Sequence, residues 1–355
     1  MWLSFTRLTD GLALLRHYVD GFEKRDKLLA LNWQACGDAA EVIKDLQVHF
    51  RLKNQKRQYD YNTIIISLYG YLERYVEDLI TEYLTLLSSY VTTFSELPPA
   101  IQTKHLSLSL ELARKAEYQR FAGTVKIEEI IARLHTSFDT PEKYQLNVEA
   151  FAQHNSNFRQ TIVVNTFSQC GIQNVGQSLR HAEPLISFLE NEDLDRDVNA
   201  YLGGGDDVVF ARLNDLADRR NDVAHGTPVG ELLSNDILRS YIDFIEAYAG
   251  GLALVVYEHL LPFRLPCATF LGPPIAVYNH AIACLNLPSG KIELGDTLIA
   301  KTQEAGRPYK GGPIREIQRD NVSIPEIIGG PGVKVGLLVD FGVRDNQEFY
   351  YLPKD

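Results

Sequence analysis

From residue 7 to residue 31 apolar and charged side chains alternate at helical spacing, and Leu8, Leu12, Leu15, Val19 and Phe22 fall on one stripe, which predicts an amphipathic helix. A second helix is expected over about 38–52, ending in the run RLKNQKR. The stretch from Tyr61 to about Phe94 is too long for a strand and apolar around most of its circumference, so it should be a buried central helix. One seam of that helix is polar: Thr63, Ser67, Gly70, Arg74, Glu77 and Thr81 follow one another at helical steps, with Glu73 bordering them. Pro98 and Pro99 break the helix, and shorter helical segments with a break at Gly123 and a new start at Thr140-Pro141 fill 97–160, like an insertion in a bundle. Residues 160–192 read as helix interrupted at Gly171 and Pro184. A helix from about Val208 stops at Gly226 and Pro228. The last long helix runs from a Ser234 or Asn235 cap to about Leu261, on a stripe of Ile237, Tyr241, Phe244, Ile245, Tyr248, Leu252 and Val255, and Pro262 ends it.

Beyond residue 262 the texture changes. Glycine and proline recur every few residues, and short β-branched runs alternate with turns, which predicts a small all-β domain closed into a barrel. The fold class is therefore multidomain, α then β: an all-α bundle over 1–262 with a helical insertion over 97–160, then a β-barrel domain over 263–355. With 45% hydrophobic and 23% charged residues the chain is ordinary globular protein, long enough for two domains. A net charge of −11 argues against coating nucleic acid through bulk charge, so any polyanion must meet a local basic site. Cys36, Cys170, Cys267 and Cys284 are far apart and read as reduced core residues. No signal peptide and no run of 18 uncharged apolar residues is found, so the expectation is a cytoplasmic protein without a membrane partner.

The candidate chemistry lies in LNDLADRRNDVAHGTP, residues 213–228. An arginine followed by a histidine at this spacing arises by chance roughly once or twice in a chain of this composition. The surroundings carry more weight. On a helix, the neighbours of Arg220 three and four positions away are Leu216, Ala217, Val223 and Ala224, so its guanidinium emerges from an apolar stripe, which is unusual for a solvated arginine. Asn221 and His225 share the adjoining face, and Asp222 lies three before the histidine, in reach of its ring. The stop at Gly226 leaves His225 in the last turn. Arg220, Asn221 and His225 are the candidate catalytic residues, with Asp222, Glu73 and Glu77 in support: either glutamate would orient Arg220 through a charge-assisted pair, if the polar seam faces the motif rather than solvent. Arg51, Lys53, Lys56 and Arg57 form the most basic spot in the chain and are candidate RNA phosphate contacts, the alternative being a solvated helix end. GGGDD, residues 203–207, lacks the lysine of a phosphate-binding loop and is read as a turn in which Asp206 or Asp207 caps the motif helix. His105, His135 and His154 are isolated, without ligand spacing, and read as surface or satisfied core histidines, so no metal and no cofactor is called for.

At RRNDVAHG the sequence resembles the HEPN superfamily, whose ribonuclease members carry an arginine, a polar residue and a histidine four to six residues beyond the arginine. The long helix YGYLERYVEDLITEYL, the helix LNDLADRRNDVAHG and the closing helix together resemble the bacterial RiboL-PSP type of HEPN domain, over roughly 1–262 except for 97–160. The resemblance implies an all-α bundle, a homodimer that brings two motifs together, metal-independent RNA cleavage, and a toxin or antiviral-defence setting in which a regulatory partner protein has a place. Many members of the superfamily are only binding or dimerisation modules. The carboxy-terminal part resembles the second-domain β-barrel of translational GTPases such as elongation factor Tu, through KIELGDTLIA with its Gly295-Asp296 turn and through IREIQRDNVSIPEIIGGPGVKVGLLVDFGV, over about 272–352. Asn346 stands where that family usually has glycine, and no GTPase domain precedes the barrel, so contact with tRNA or another translation component is implied and GTP hydrolysis is not.

RNA carries its own nucleophile, the 2′-hydroxyl, so cleavage needs a proton acceptor or donor near neutral pH and positive charge on the pentacoordinate phosphate. His225 is suited to the first task, Arg220 to the second, and Asn221 to hydrogen-bonded positioning. The expected function is a metal-independent endoribonuclease acting on tRNA or other translation-associated RNA. Two alternatives remain: a non-catalytic RNA-binding or dimerisation module that docks on translation machinery, and a structural ion pair of the arginine with the Glu73 or Glu77 carboxylate.

Overall fold

The computed structural model describes residues 2–50, 53–116, 125–154, 156–195, 197–226, 231–304, 307–320 and 322–354, apart from the side chains of Ala35, Lys53, Asn54 and Pro141. The chain forms two compact units, one of Met1–Leu84 with Leu97–Ala253 and the other of Thr85–Glu96 with Leu254–Asp355. The helices are α1 (Leu3–Leu29), α2 (Ala40–His49), α3 (Lys53–Tyr90), α4 (Pro99–Lys115), α5 (Ile127–Asp139), α6 (Val148–Ala152) and α7 (Gln160–Gln169). They continue as α8 (Val175–Arg180), α9 (Glu183–Glu192), α10 (Val198–Gly203), α11 (Asp206–Val209), α12 (Ala211–Ala224) and α13 (Asn235–Arg264).

The first unit is organised on α3. Ile64, Ile65, Leu68, Leu72, Val76, Leu79 and Ile80 are fully buried, as a helix apolar over most of its circumference requires. The expected stripe of α1 packs on it, with Leu8, Leu12, Leu15, Val19 and Phe22 all buried. The two helices approach closely at Gly11, where a Cβ would fall 2.8 Å from the Tyr71 ring. Polar contacts set their register. Glu82 accepts hydrogen bonds from the N–H and hydroxyl of Ser4, both at 2.9 Å, and so satisfies the first turn of α1. At the other end Arg25 Nη1 lies 2.9 Å from Asp60. Helix α13 adds Ile242, Ile245, Tyr248 and Leu252, and its Ala249 carbonyl accepts from the Tyr75 hydroxyl at 2.7 Å.

Several expectations change. The described part of the basic run, from Lys53 to Arg57, opens α3 instead of closing α2, which already ends at Phe50 (φ −93, ψ 18). The motif helix does not start at Val208: the chain turns at Phe210 (φ −106, ψ 18) between α11 and α12. Asp206 and Asp207 sit in the first turn of α11 and do not cap the motif helix; Asp206 reaches Arg180 at 3.4 Å. Ser234 supplies the α13 cap, its hydroxyl accepting from Ile237 N–H at 3.3 Å, while the Ile237 side chain is exposed. Pro262 lies inside α13, which continues to Arg264, since in a last turn the missing N–H costs one bond near a frayed end. Gly123 and Pro228 lie outside the described residues.

The second unit is antiparallel throughout its strands, β1 (Thr269–Gly272), β2 (Ala276–Tyr278), β3 (Ile282–Asn286), β4 (Lys291–Glu293), β5 (Thr297–Lys301), β6 (Tyr309–Pro313), β7 (Glu316–Arg319), β8 (Val322–Ile324), β9 (Glu326–Ile328), β10 (Lys334–Leu338) and β11 (Glu348–Leu352). They form a sheet of order β1-β11-β5-β6, a second of order β2-β3-β10-β7-β8, and the ribbon β4-β9. Ala283, Leu285, Leu298, Ala300, Ile317, Leu337 and Phe349 from both large sheets share one core. The Gly295-Asp296 turn is as expected: Gly295 takes φ +91, and the buried Asp296 carboxylate accepts from Glu293 N–H at 2.8 Å and Lys354 N–H at 2.9 Å. Within this unit Arg307 clasps Glu258 of α13 by two bonds of 2.7 Å, both side chains almost wholly buried.

Candidate functional site

Helix α12 buries Leu213, Leu216 and Ala217 and leaves its last turn to solvent. Two adjacent arginines stand where the buried stripe gives out, and their surroundings differ. Arg219 is fixed: its Nε lies 2.6 Å from Asp215, one turn back, and its Nη1 donates to the Tyr61 hydroxyl at 3.0 Å. The Tyr241 hydroxyl donates to the same Asp215 oxygen at 2.5 Å, so the cation is neutralised within the fold. Arg220 makes no ion pair among the described residues. Its guanidinium lies over the Tyr69 ring, 5.1 Å from the centroid, and reaches Asn221 Oδ1 at 3.4 Å. The emergence of Arg220 from an apolar surface is thus realised by the face of Tyr69, while its charge stays available.

Tyr69 is held from below. Its hydroxyl accepts the Phe158 N–H at 2.8 Å, and burial pushes the phenol up to about 12 despite that bond, so it is neutral and presents an unionised ring to the cation. Phe158 belongs to a strap between α6 and α7 that is sewn along one face of α12. Asn157 donates to Asn221 Oδ1, Arg159 pairs with Asp218, and Gln160 N–H donates to Asn214 Oδ1 at 3.0 Å. Positions 214, 218 and 221 follow at helical steps, which is why an extended strap can meet all three.

The expected pairing of Glu73 or Glu77 with Arg220 is corrected. Both carboxylates converge on His154 at the start of the strap, with Nε2 at 3.5 Å from Glu73 and 3.2 Å from Glu77. The other ring nitrogen meets the Ser156 carbonyl at 2.7 Å, the ring lies tilted by 39° against Phe158 with centroids 4.0 Å apart, and only 6% of the side chain is exposed. Reading His154 as isolated missed these partners, because they lie some 80 residues upstream in the chain; the only local signal is the polar run QHNSNFRQ between two apolar helices. The rest of the seam divides: Arg74 pairs with Asp78 at 3.1 Å in solvent, and Thr63 and Gly70 are exposed.

His225 caps α12, its N–H bonded to the Asn221 carbonyl at 2.9 Å, and its side chain is exposed one turn beyond Asn221. Asp222 is also exposed, and among the described residues no hydrogen bond joins it to that ring, so the expected hold on the histidine is not made here; its charge bears on Tyr61, whose phenol is raised chiefly by burial. Of the basic run, Arg51 and the Lys53 side chain lie outside the described residues. Lys56 is half-buried, 4.7 Å over the Phe50 ring and 3.7 Å from Asp60, the carboxylate that Arg25 also pairs; Arg57 is exposed. Lys56 and Arg57 flank a pocket of about 520 Å³ that also includes Tyr61, the partner of Arg219.

Chemically, the motif presents a cation without a counter-ion among the described residues, an amide beside it, and an accessible imidazole on the same helix end, a set suited to an anionic oxygen and a nearby proton transfer. The family model described as RiboL-PSP-HEPN matches residues 37–255. No curated protein matches the chain. No solved structure matches it either.

Proposed function

The chain belongs to the RiboL-PSP-HEPN family, a family of nuclease and RNA-related function, and from that premise we propose that it is a metal-independent endoribonuclease. In the proposed reaction the 2′-oxygen of RNA attacks the adjacent phosphorus, a base takes the 2′-hydroxyl proton, the bond from phosphorus to the 5′-oxygen breaks, and an acid protonates the leaving 5′-oxygen. Arg220 and Asn221 hold the non-bridging oxygens as charge builds on them, and His225 moves a proton. Each chain carries one such histidine, whereas the reaction has two proton transfers, so the working form is a homodimer with the motifs facing one another. The observation that carries this reading is the contrast on α12: Arg219 is neutralised by Asp215, while the adjacent Arg220, beside Asn221, has no carboxylate partner among the described residues.

The likeness of the β domain to the second domain of translational GTPases favours tRNA or translation-associated RNA as the target, in a toxin or antiviral-defence setting within the cytoplasm, with a partner protein as restraint. Incubation of the purified protein with total RNA in excess chelator tests the reaction: the products should end in 2′,3′-cyclic phosphate and 5′-hydroxyl. His225→Ala should abolish cleavage while leaving the fold intact, and cleavage that survives this substitution sinks the assignment. A second reading, an RNA-binding module without catalysis, is favoured by the His225 ring, which no side chain orients among the described residues; RNA retained without cut products would select it.

A further inference from the structure

We propose that Asn157 is a positioning residue of this site: by donating to Oδ1 of Asn221 it turns the Asn221 NH2 group outward, beside Arg220, where it meets a non-bridging phosphate oxygen of the RNA backbone. The inference rests on the ribonuclease reading above. An asparagine amide has an acceptor end and a donor end, and its orientation follows from the bonds it makes. Here Oδ1 receives two donors, the Asn157 amide and Arg220 Nη1, while the Asn221 NH2 group has no partner among the described residues and the residue is half-buried. Outward donors suit an anionic oxygen; an outward Oδ1 would repel it.

Asn221 cannot choose this orientation alone, because nothing on α12 distinguishes the two ends of its amide except the weak contact with Arg220. The strap decides. His154 anchors one end between Glu73 and Glu77, and Arg159 with Gln160 anchors the other on Asp218 and Asn214, so the Asn157 amide is held against Asn221, where it donates to the same Oδ1 that Arg220 reaches. A segment about 64 residues away in sequence thereby sets the polarity of the motif's second residue.

Asn157→Asp and Asn157→Ala in the full chain separate this role from packing. The aspartate keeps the size of the side chain but offers only acceptors, so Asn221 turns over and presents Oδ1 outward; the alanine removes the constraint without inverting it. KM for RNA should rise roughly ten- to hundredfold with aspartate and only a few-fold with alanine, as for loss of a hydrogen bond to a charged group. A packing role predicts the reverse order, since alanine leaves the larger void. Without RNA, side-chain amide exchange followed by NMR should be fast for Asn221 in the wild type and slowed in Asn157→Asp. Equal or greater loss with alanine overturns the proposal, as does unchanged exchange at Asn221. If the wild type neither binds nor cuts RNA, the ribonuclease reading falls, and the exchange pattern alone then decides whether Asn157 orients Asn221.

Discussion

Arg219→Gln and Arg220→Gln each remove one guanidinium from neighbouring positions of α12, yet the surroundings assign them opposite consequences. Arg219 gives up a 2.6 Å bond to Asp215 and a 3.0 Å bond to the Tyr61 hydroxyl, and among the described residues Asp215 keeps the Tyr241 hydroxyl alone. Hydrogen bonds to charged groups contribute about 1.5–3 kcal/mol each, but the Asp215 side chain is 41% exposed and water compensates part of the loss, so about 2 kcal/mol of stability should go. Arg220 gives up a contact over Tyr69 of about 0.5–1 kcal/mol, and its stability cost should stay below about 1 kcal/mol. In the reaction the order reverses. Loss of one preorganised donor to the transition state costs about 2.7–4 kcal/mol, so cleavage by Arg220→Gln should fall roughly 10²–10³-fold, while Arg219→Gln, assayed well below its melting temperature, should stay within a few-fold of the wild type. Urea unfolding and cleavage of an end-labelled RNA read the two effects separately. Cleavage abolished in a folded Arg219→Gln, or retained in Arg220→Gln, would refute the division of labour between the two arginines.

Three further outcomes concern the scaffold. The His105 ring is fully buried, its Nε2 accepts the Asn147 N–H at 3.1 Å, and desolvation lowers its pKa from 6.5 to about 4. The native state therefore resists a proton that the unfolded chain accepts: the His105 contribution is full above pH 6.5 and falls by about 3 kcal/mol as pH drops toward 4, so His105→Gln should lessen the loss between pH 7 and pH 4.5 in paired urea titrations, leaving the part due to His259, which burial also lowers. Arg307→Met takes the counter-charge from the buried Glu258 carboxylate and should cost about 3–5 kcal/mol, whereas adding Glu258→Gln should recover part of it; additive losses in thermal unfolding would contradict the pairing. At Gly171, φ is +84 and a Cβ would fall 2.5 Å from Pro98 Cβ, so Gly171→Ala should destabilise by more than about 2 kcal/mol in chemical denaturation.

What could be read from the sequence, and what could not, divides along the length over which the backbone fixes distances. The stripes of α1, α3 and α13 were legible because burial repeats with the helical period, and Ile237 fails only because it lies at the cap, ahead of the packed face. Pairs within one helix follow the same period, as Arg74 with Asp78 at i, i+4 does. The basic run carries no local signal of whether it closes α2 or opens α3, and from Lys53 onward it lies in α3. Contacts between distant segments carry no such period. Glu73 and Glu77 were recognised as unusual on a buried helix, but their partner is His154, and Arg307 likewise finds Glu258 across 49 positions.

The same division accounts for the site. Arg220, Asn221 and His225 stand on one helix end whose geometry follows from local sequence, so the motif could be located without a structure. Its electrostatic state could not. Whether an arginine is available depends on which neighbours neutralise it, and here Asp215 selects Arg219 because the two are one turn apart, with the Tyr61 hydroxyl on the guanidinium and the Tyr241 hydroxyl on the carboxylate. Whether the amide of Asn221 offers donors or an acceptor depends on Asn157, which no property of α12 announces. A chain with the same motif and a different strap would therefore present a different surface to a phosphate, and the strap residues His154 and Asn157 are where a binding-only relative of this fold should be expected to differ.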